Sequence, residues 1–201
     1  MARSRRLIVE PVTADRWSDL ETLFGERGAC GGCWCMTPRL SRKEYEAGKG
    51  EGNRRRLREL VEAGPPPGVL GYLAGENGRP EPVAWCAIGP RQDFGALARS
   101  RILAPLDDEP VWSITCLFIR RDQRRHGHSV ALVEGAVALA RSRGARIVEA
   151  YPTEPQKDAM PDAFAWTGIL ATYLRAGFRE VLRRSATRPI VRRAVRGSRA
   201  D

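Results

Sequence analysis

The stretch Ile119–Ser129, IRRDQRRHGHS, places four arginines, two histidines and a glycine between a β-rich apolar run and a long helical pattern. A chain that leaves a strand and opens a helix this way presents backbone N–H groups that lack intrahelical partners, at the positive end of the helix dipole. That arrangement suits phosphate. Arg124 and Arg125 add charge, Gly127 stands where the backbone would approach a ligand closely, and His126 and His128 flank it. A solvated basic loop capped by Ser129 is the competing reading. The Gly-Lys-Ser/Thr ending of a P-loop and the three spaced glycines of a dinucleotide fingerprint are both absent. Three other groups could do chemistry. Tyr173 lies four residues before Gly177, Glu149 sits in a short β-rich run, and CGGCWCM at 30–36 crowds Cys30, Cys33 and Cys35 into six positions.

The elements that would position these groups follow from pattern. LIVEPV (7–12) reads as a first strand, followed by a helix through Trp17, Leu20 and Phe24 that four glycines end. SRKEYEAG and NRRRLRELVEAG read as short helices, the second from Asn53 to Gly64. VLGYLAG and VAWCAIG form a hairpin with Asn77-Gly78 in its loop, and VWSITCLFI (111–119) has the composition of a buried central strand. A helix through Val130–Ala140 ends near Gly144. Strand RIVEAYP, an extended loop to Asp162, a helix over 162–177 and two late strands complete the chain. The expected fold is α/β (α+β), with a mixed, mostly antiparallel sheet flanked by helices, as one domain over 1–194 and a basic, disordered tail over 195–201.

Length and composition agree with one domain: 201 residues, 42% hydrophobic, suffice for a single sizeable core. The 34 basic and 24 acidic residues give a net charge of +10, carried almost wholly by arginine, since the lysines are Lys43, Lys49 and Lys157. Such a surface favours anionic partners. No run reaches the roughly 18 apolar residues of a membrane span, and the basic N-terminus has no apolar stretch before Glu10. These features predict a cytoplasmic protein without a membrane partner. The five cysteines, an odd number, fit thiols better than a disulfide framework.

With these elements in order, the chain resembles the GNAT superfamily of acyl-CoA-dependent N-acyltransferases. Arg124, Gly127 and Ser129 fall on the family's Arg/Gln-x-x-Gly-x-Gly/Ala loop, and TYLRAGF (172–178) is similar to its Tyr-x-x-x-Gly-Phe fingerprint. Arg125 stands where many members have a further glycine, Ser129 replaces the final Gly or Ala, and Trp166 occupies the place of a frequent asparagine. The resemblance implies acetyl-CoA as cosubstrate, with residues 124–129 on its phosphates. Backbone groups of Leu117, Phe118 and Ile119 would face its pantetheine arm where the central strand and the next one splay apart. It also implies direct transfer of acetyl to a primary amine, with an N–H stabilising the developing oxyanion, an effect worth about 3 kcal/mol per donor. Tyr173 would protonate the departing thiolate, with a core tyrosine as the alternative.

For the proton acceptor, Glu149 is the first choice and a water chain the alternative. Cys33, Trp34 and Cys35 are expected to line the acceptor pocket, and zinc binding is disfavoured because no second cysteine pair exists. The expected partner is a small-molecule amine, with homodimerisation left open. Two other functions compete: a basic nucleic-acid-binding domain, for which no recognition helix or RNA-binding motif is found, and a catalytically silent CoA-binding regulator.

Overall fold

A computed structural model describes residues 6–75, 78–155 and 165–195. Seven strands form one sheet in the order β1-β2-β3-β4-β5-β7-β6. They are β1 (Ile8–Pro11), β2 (Gly68–Ala74), β3 (Pro80–Pro90), β4 (Trp112–Ile119), β5 (Ile147–Ala150), β6 (Arg179–Arg183) and β7 (Pro189–Ala194). Only the β4–β5 pair is parallel, and a helix, α5 (His128–Ser142), makes the crossover that parallel neighbours require. Strand directions are mixed, as the alternation of patterns predicts, and mostly antiparallel, as the family resemblance implies.

Two apolar layers cover the sheet. On one face α5 buries Leu132, Val133, Ala136, Val137 and Ala140 against Ile114, Val148, Ala150 and Tyr173 of the sheet side and of α6 (Leu170–Arg175). The opposite face is covered by α1 (Trp17–Phe24), α3 (Glu51–Ala63) and the loop between α1 and α2 (Arg42–Ala47). There Trp17, Phe24, Trp34, Trp85 and Phe118 interlock, with Phe24 edge-on to the other three of its ring contacts, Trp34, Trp85 and Phe118. α2 begins with a capping box: Ser41 accepts from the Glu44 N–H, and Glu44 accepts from the Ser41 N–H.

Two sequence expectations change. Of the helix expected over 162–177, residues 162–164 lie outside the described residues, and among the described ones only α6 is helical, because 165–169 run as a turn with Gly168 at φ 78° and the Thr153 N–H bonds Gly168 O. α3 starts at Glu51 rather than Asn53, which is buried and bonds Gly32 O and Tyr45 O through its amide. Asn77 of the hairpin loop lies outside the described residues, as do 196–201 of the expected tail. Val195 is still buried, its N–H on Arg146 O. Among the described residues no helix is long and apolar enough to cross a membrane.

Candidate active site

β4 and β5 pair only from Trp112↔Val148 to Ile114↔Ala150. Beyond that they part, and Cys116, Leu117, Phe118 and Ile119 become partly exposed after the buried Ser113, Ile114 and Thr115. A register irregularity on the β3 side, where Ala87 faces Cys116 but Ile88 faces Ile114, makes Thr115 the extra residue of a bulge. The turn at 165–168 stands in the gap. The Leu117 N–H donates to Trp166 O at 2.7 Å, and the Tyr173 hydroxyl donates to Thr167 O at 2.9 Å. Gly168 packs so closely on Leu117 and the Tyr173 ring that a Cβ there would lie 2.5 Å from Leu117 Cδ1 and 2.8 Å from Tyr173 Cε2. Two donors from different elements therefore converge on adjacent carbonyls. Arg188 fastens the turn through Thr153 and Thr167 hydroxyls at 3.1 and 2.8 Å.

Tyr173 is fully buried, and burial pushes its hydroxyl well above the usual phenol range, so it remains a protonated donor. The loop before α5 takes the shape its residues suggest. Gly127 is the N-cap at φ 82° with no side-chain cap, and Arg125 also adopts a left-handed conformation, φ 64°, at the position where the motif usually has glycine. Within the protein a Cβ on Gly127 would meet no atom within 4 Å, so the positive φ is what this loop's own structure asks of glycine there. Arg124 turns its Nε onto Ile119 O at 2.9 Å. Among the described residues nothing accepts from the backbone N–H groups of 125–129. That set of unmatched donors, beside arginines at a helix N-terminus, fits the phosphates of acetyl-CoA.

Ser129 is not the cap; its hydroxyl meets that of Thr172 at 3.3 Å and ties α5 to α6. His126 is exposed, while His128 is buried, its ring 6.0 Å from that of His126. Burial, then the neighbouring imidazole, holds His128 below the usual histidine range.

Glu149 does not face the gap. It is fully buried on the other side of β5, where Oε1 accepts from Arg91 at 2.9 Å and the Tyr151 hydroxyl at 2.6 Å, and Oε2 from Arg192 at 2.7 Å. Both carboxylate oxygens are thus matched within the protein, and sequence pattern could not reveal partners 58 and 43 residues away. The acceptor-pocket residues also turn inward. Trp34 and Cys35 belong to the aromatic core, and only Cys33 is half-buried, its S–H on Gly28 O at 3.3 Å. A cavity of about 470 Å³ touches Trp34, but its other walls are Glu21, Glu26, Glu51, Arg54 and neighbours of α1 and α3, with no residue of β4. Among the described residues no group of acidic, cysteine or histidine side chains is arranged to hold a metal ion. The turn at 165–168 and the bulge at Thr115 were not foreseen; Trp166, noted only as standing in place of a frequent asparagine, lies in that turn.

Comparison with known proteins places this geometry. The sequence model of the Acetyltransferase (GNAT) family matches residues 34–163, more than half of the chain. The curated proteins contain no match. Among solved structures, a mosquito arylalkylamine N-acetyltransferase like 5b is similar with a TM-score of 0.55 at 11% identity, covering 94% of this chain and 100% of that one. A chain of the NatC complex bound to Gag peptide and CoA gives 0.54 at 12% identity, over 95% and 99%. The Drosophila melanogaster polyamine N-acetyltransferase, which forms N-acetylagmatine, gives 0.51 at 12%, over 94% and 100%. At such identities the likeness is one of fold, and it agrees with the family match: this chain belongs to the GNAT acetyltransferase family, whose cosubstrate is acetyl-CoA.

Proposed function

We propose that the protein transfers acetyl directly to a primary amine of a small molecule. The observation that supports this most is the convergence of the Leu117 N–H and the Tyr173 hydroxyl on consecutive carbonyls. A carbonyl oxygen and a group needing a proton can sit side by side there. Acetyl-CoA supplies the acyl group activated as a thioester. The N–H groups of 125–129 and nearby arginines hold its phosphates. The Leu117 N–H donates to the oxygen that gains charge as the amine adds, a contribution of about 3 kcal/mol. Tyr173, kept protonated by burial, gives its proton to the leaving sulfur. For this the 165–168 turn must yield its place on both donors.

A small acceptor is favoured by the arylalkylamine and polyamine activities of two structural neighbours, against the one peptide complex. Thiol release from acetyl-CoA with a panel of polyamines, arylalkylamines, aminoglycosides, amino acids and peptides tests the reading. With the accepted amine, Tyr173→Phe should lower kcat at least about tenfold, with CoA affinity and Tm near wild type. Unchanged turnover would remove Tyr173 from the reaction, and loss of stability alone would mark it as a core residue.

A further inference from the structure

Where β4 and β5 part, residues 165–169 fill the space between them like a short extra strand. On the β4 side the Leu117 N–H donates to Trp166 O at 2.7 Å. On the other side Thr153, just past β5, pairs in parallel with Ile169: its N–H donates to Gly168 O at 2.8 Å, and its carbonyl accepts from the Leu170 N–H at 3.1 Å. The Gly168 N–H closes the turn on Ala165 O at 2.7 Å. Both donors that the acyl group needs, the Leu117 N–H and the Tyr173 hydroxyl, are therefore engaged by one short piece of backbone. In the free protein this keeps two inward-facing donors from being left without an acceptor, which is costly.

The large side chains of the segment do little to hold it. Trp166 and Ile169 are each 37% exposed. Thr167 points inward instead: it is buried, and its hydroxyl lies 2.8 Å from Arg188 Nη1 and 3.3 Å from the Thr153 hydroxyl. The same Arg188 nitrogen reaches Thr153 Oγ1 at 3.1 Å and Tyr151 O at 3.4 Å, so it ties the turn to the end of β5. Gly168 fixes how deeply the turn seats. A Cβ there would strike Leu117 Cδ1, which can rotate aside, and the ring of the fully buried Tyr173, which cannot.

We propose that the 165–168 turn is an autoinhibitory plug in the acyl site, latched by the contact of Thr167 with Arg188, and that acetyl-CoA binds by displacing it. This rests on the acetyl-transfer reading above. The Trp166 and Thr167 carbonyls stand where the thioester's oxygen and sulfur must come. On displacement the Leu117 N–H passes from Trp166 O to the thioester oxygen, and the Tyr173 hydroxyl passes from Thr167 O to the sulfur. The released peptide carbonyls turn to water. Because the closed turn excludes the acyl group, the apparent affinity for acetyl-CoA is the intrinsic one reduced by the fraction of molecules that are open. The nucleotide end of acetyl-CoA, seated at the start of α5, needs neither donor.

The test compares two ligands by calorimetry and stopped flow: acetyl-CoA, and adenosine 3′,5′-bisphosphate, which has the nucleotide end without the pantetheine arm or thioester. The proteins are wild type, Thr167→Val, which removes the latch hydroxyl and keeps the side chain's shape, and Gly168→Ala, which crowds only the closed turn. In both variants the Kd of acetyl-CoA should fall about threefold to tenfold, through faster association with little change in dissociation. The Kd of the bisphosphate should stay at its wild-type value. Folded variants that bind acetyl-CoA no better than wild type overturn the plug and leave acetyl transfer standing on thiol release. Equal tightening of both ligands also overturns it, because the gain then lies outside the acyl site. A wild type that binds the bisphosphate but releases thiol with no amine overturns the acetyl-transfer reading and the plug with it. Should neither variant fold, hydrogen exchange of the wild type decides: acetyl-CoA, unlike the bisphosphate, should speed exchange over 165–170, and unchanged or slower exchange there refutes the plug.

Discussion

Two arginine-rich places in this molecule meet opposite fates. Around Glu149 every strong group is matched: Arg91 and Arg192 share its two oxygens, Tyr151 adds a hydroxyl that also meets Ser113 at 2.9 Å, and Arg192 continues to Asp107 at 2.6 Å. At the start of α5 the reverse holds, with backbone donors of 125–129 that nothing among the described residues accepts. Charge density does not separate the two places, but saturation does. A closed set of donors and acceptors fastens one end of β5 to β7 and to the segment after β3, whereas an open set at a helix N-terminus awaits an anion.

The largest effect should come from breaking the closed set. Glu149→Ala leaves two guanidiniums, 13% and 15% exposed, without their shared anion. Removing one partner of such a buried pair costs about 3–5 kcal/mol. Denaturant unfolding should show that loss, with residual turnover in the folded fraction close to wild type. A change below about 1 kcal/mol, or a selective collapse of kcat in stable protein, would return Glu149 to the reaction and undo the contrast.

The open set should respond mainly through ligand. Gly127→Val forces a β-branched residue to φ 82°, a strain of about 1–2 kcal/mol, and distorts the donor array. Wild type at acetyl-CoA about 100-fold above Kd gains about 2.7 kcal/mol of stability, seen as a rise in Tm. The variant should lose that rise along with its smaller intrinsic destabilisation. If acetyl-CoA still raises Tm fully, the loop is not where the phosphates sit.

What the sequence made legible was what is local. The turn before α5, the central strand and the helix pattern of α5 all depend on neighbours within a few residues, so pattern carries them. The arginine partners of Glu149 come from two distant segments, and a carboxylate in a strand does not reveal which face it takes. The burial of Trp34 and Cys35 was hidden for a similar reason: a glycine-rich stretch suggests a surface loop, but Trp17, Phe24 and Trp85 supply a core that pulls it in.

The smallest expected effect sharpens the contrast at a single proton. His128, the first residue of α5, is 6% exposed, and burial followed by His126 lowers its pKa from the ordinary 6.5. A depressed pKa in the folded protein means that His128 contributes stability above the unfolded value, which is lost as pH falls through the folded one. Phosphate at the helix N-terminus favours the charged imidazole and raises that pKa. Binding of acetyl-CoA near pH 6 should therefore take up a fraction of a proton, and near pH 8 none. Calorimetric titration in buffers of different ionisation enthalpy measures this directly, and His128→Asn should abolish most of the uptake while Glu149→Gln leaves it intact. Equal binding enthalpies in all buffers near pH 6 would mean that the histidines stand clear of the phosphates, with the backbone donors and arginines alone forming the open set.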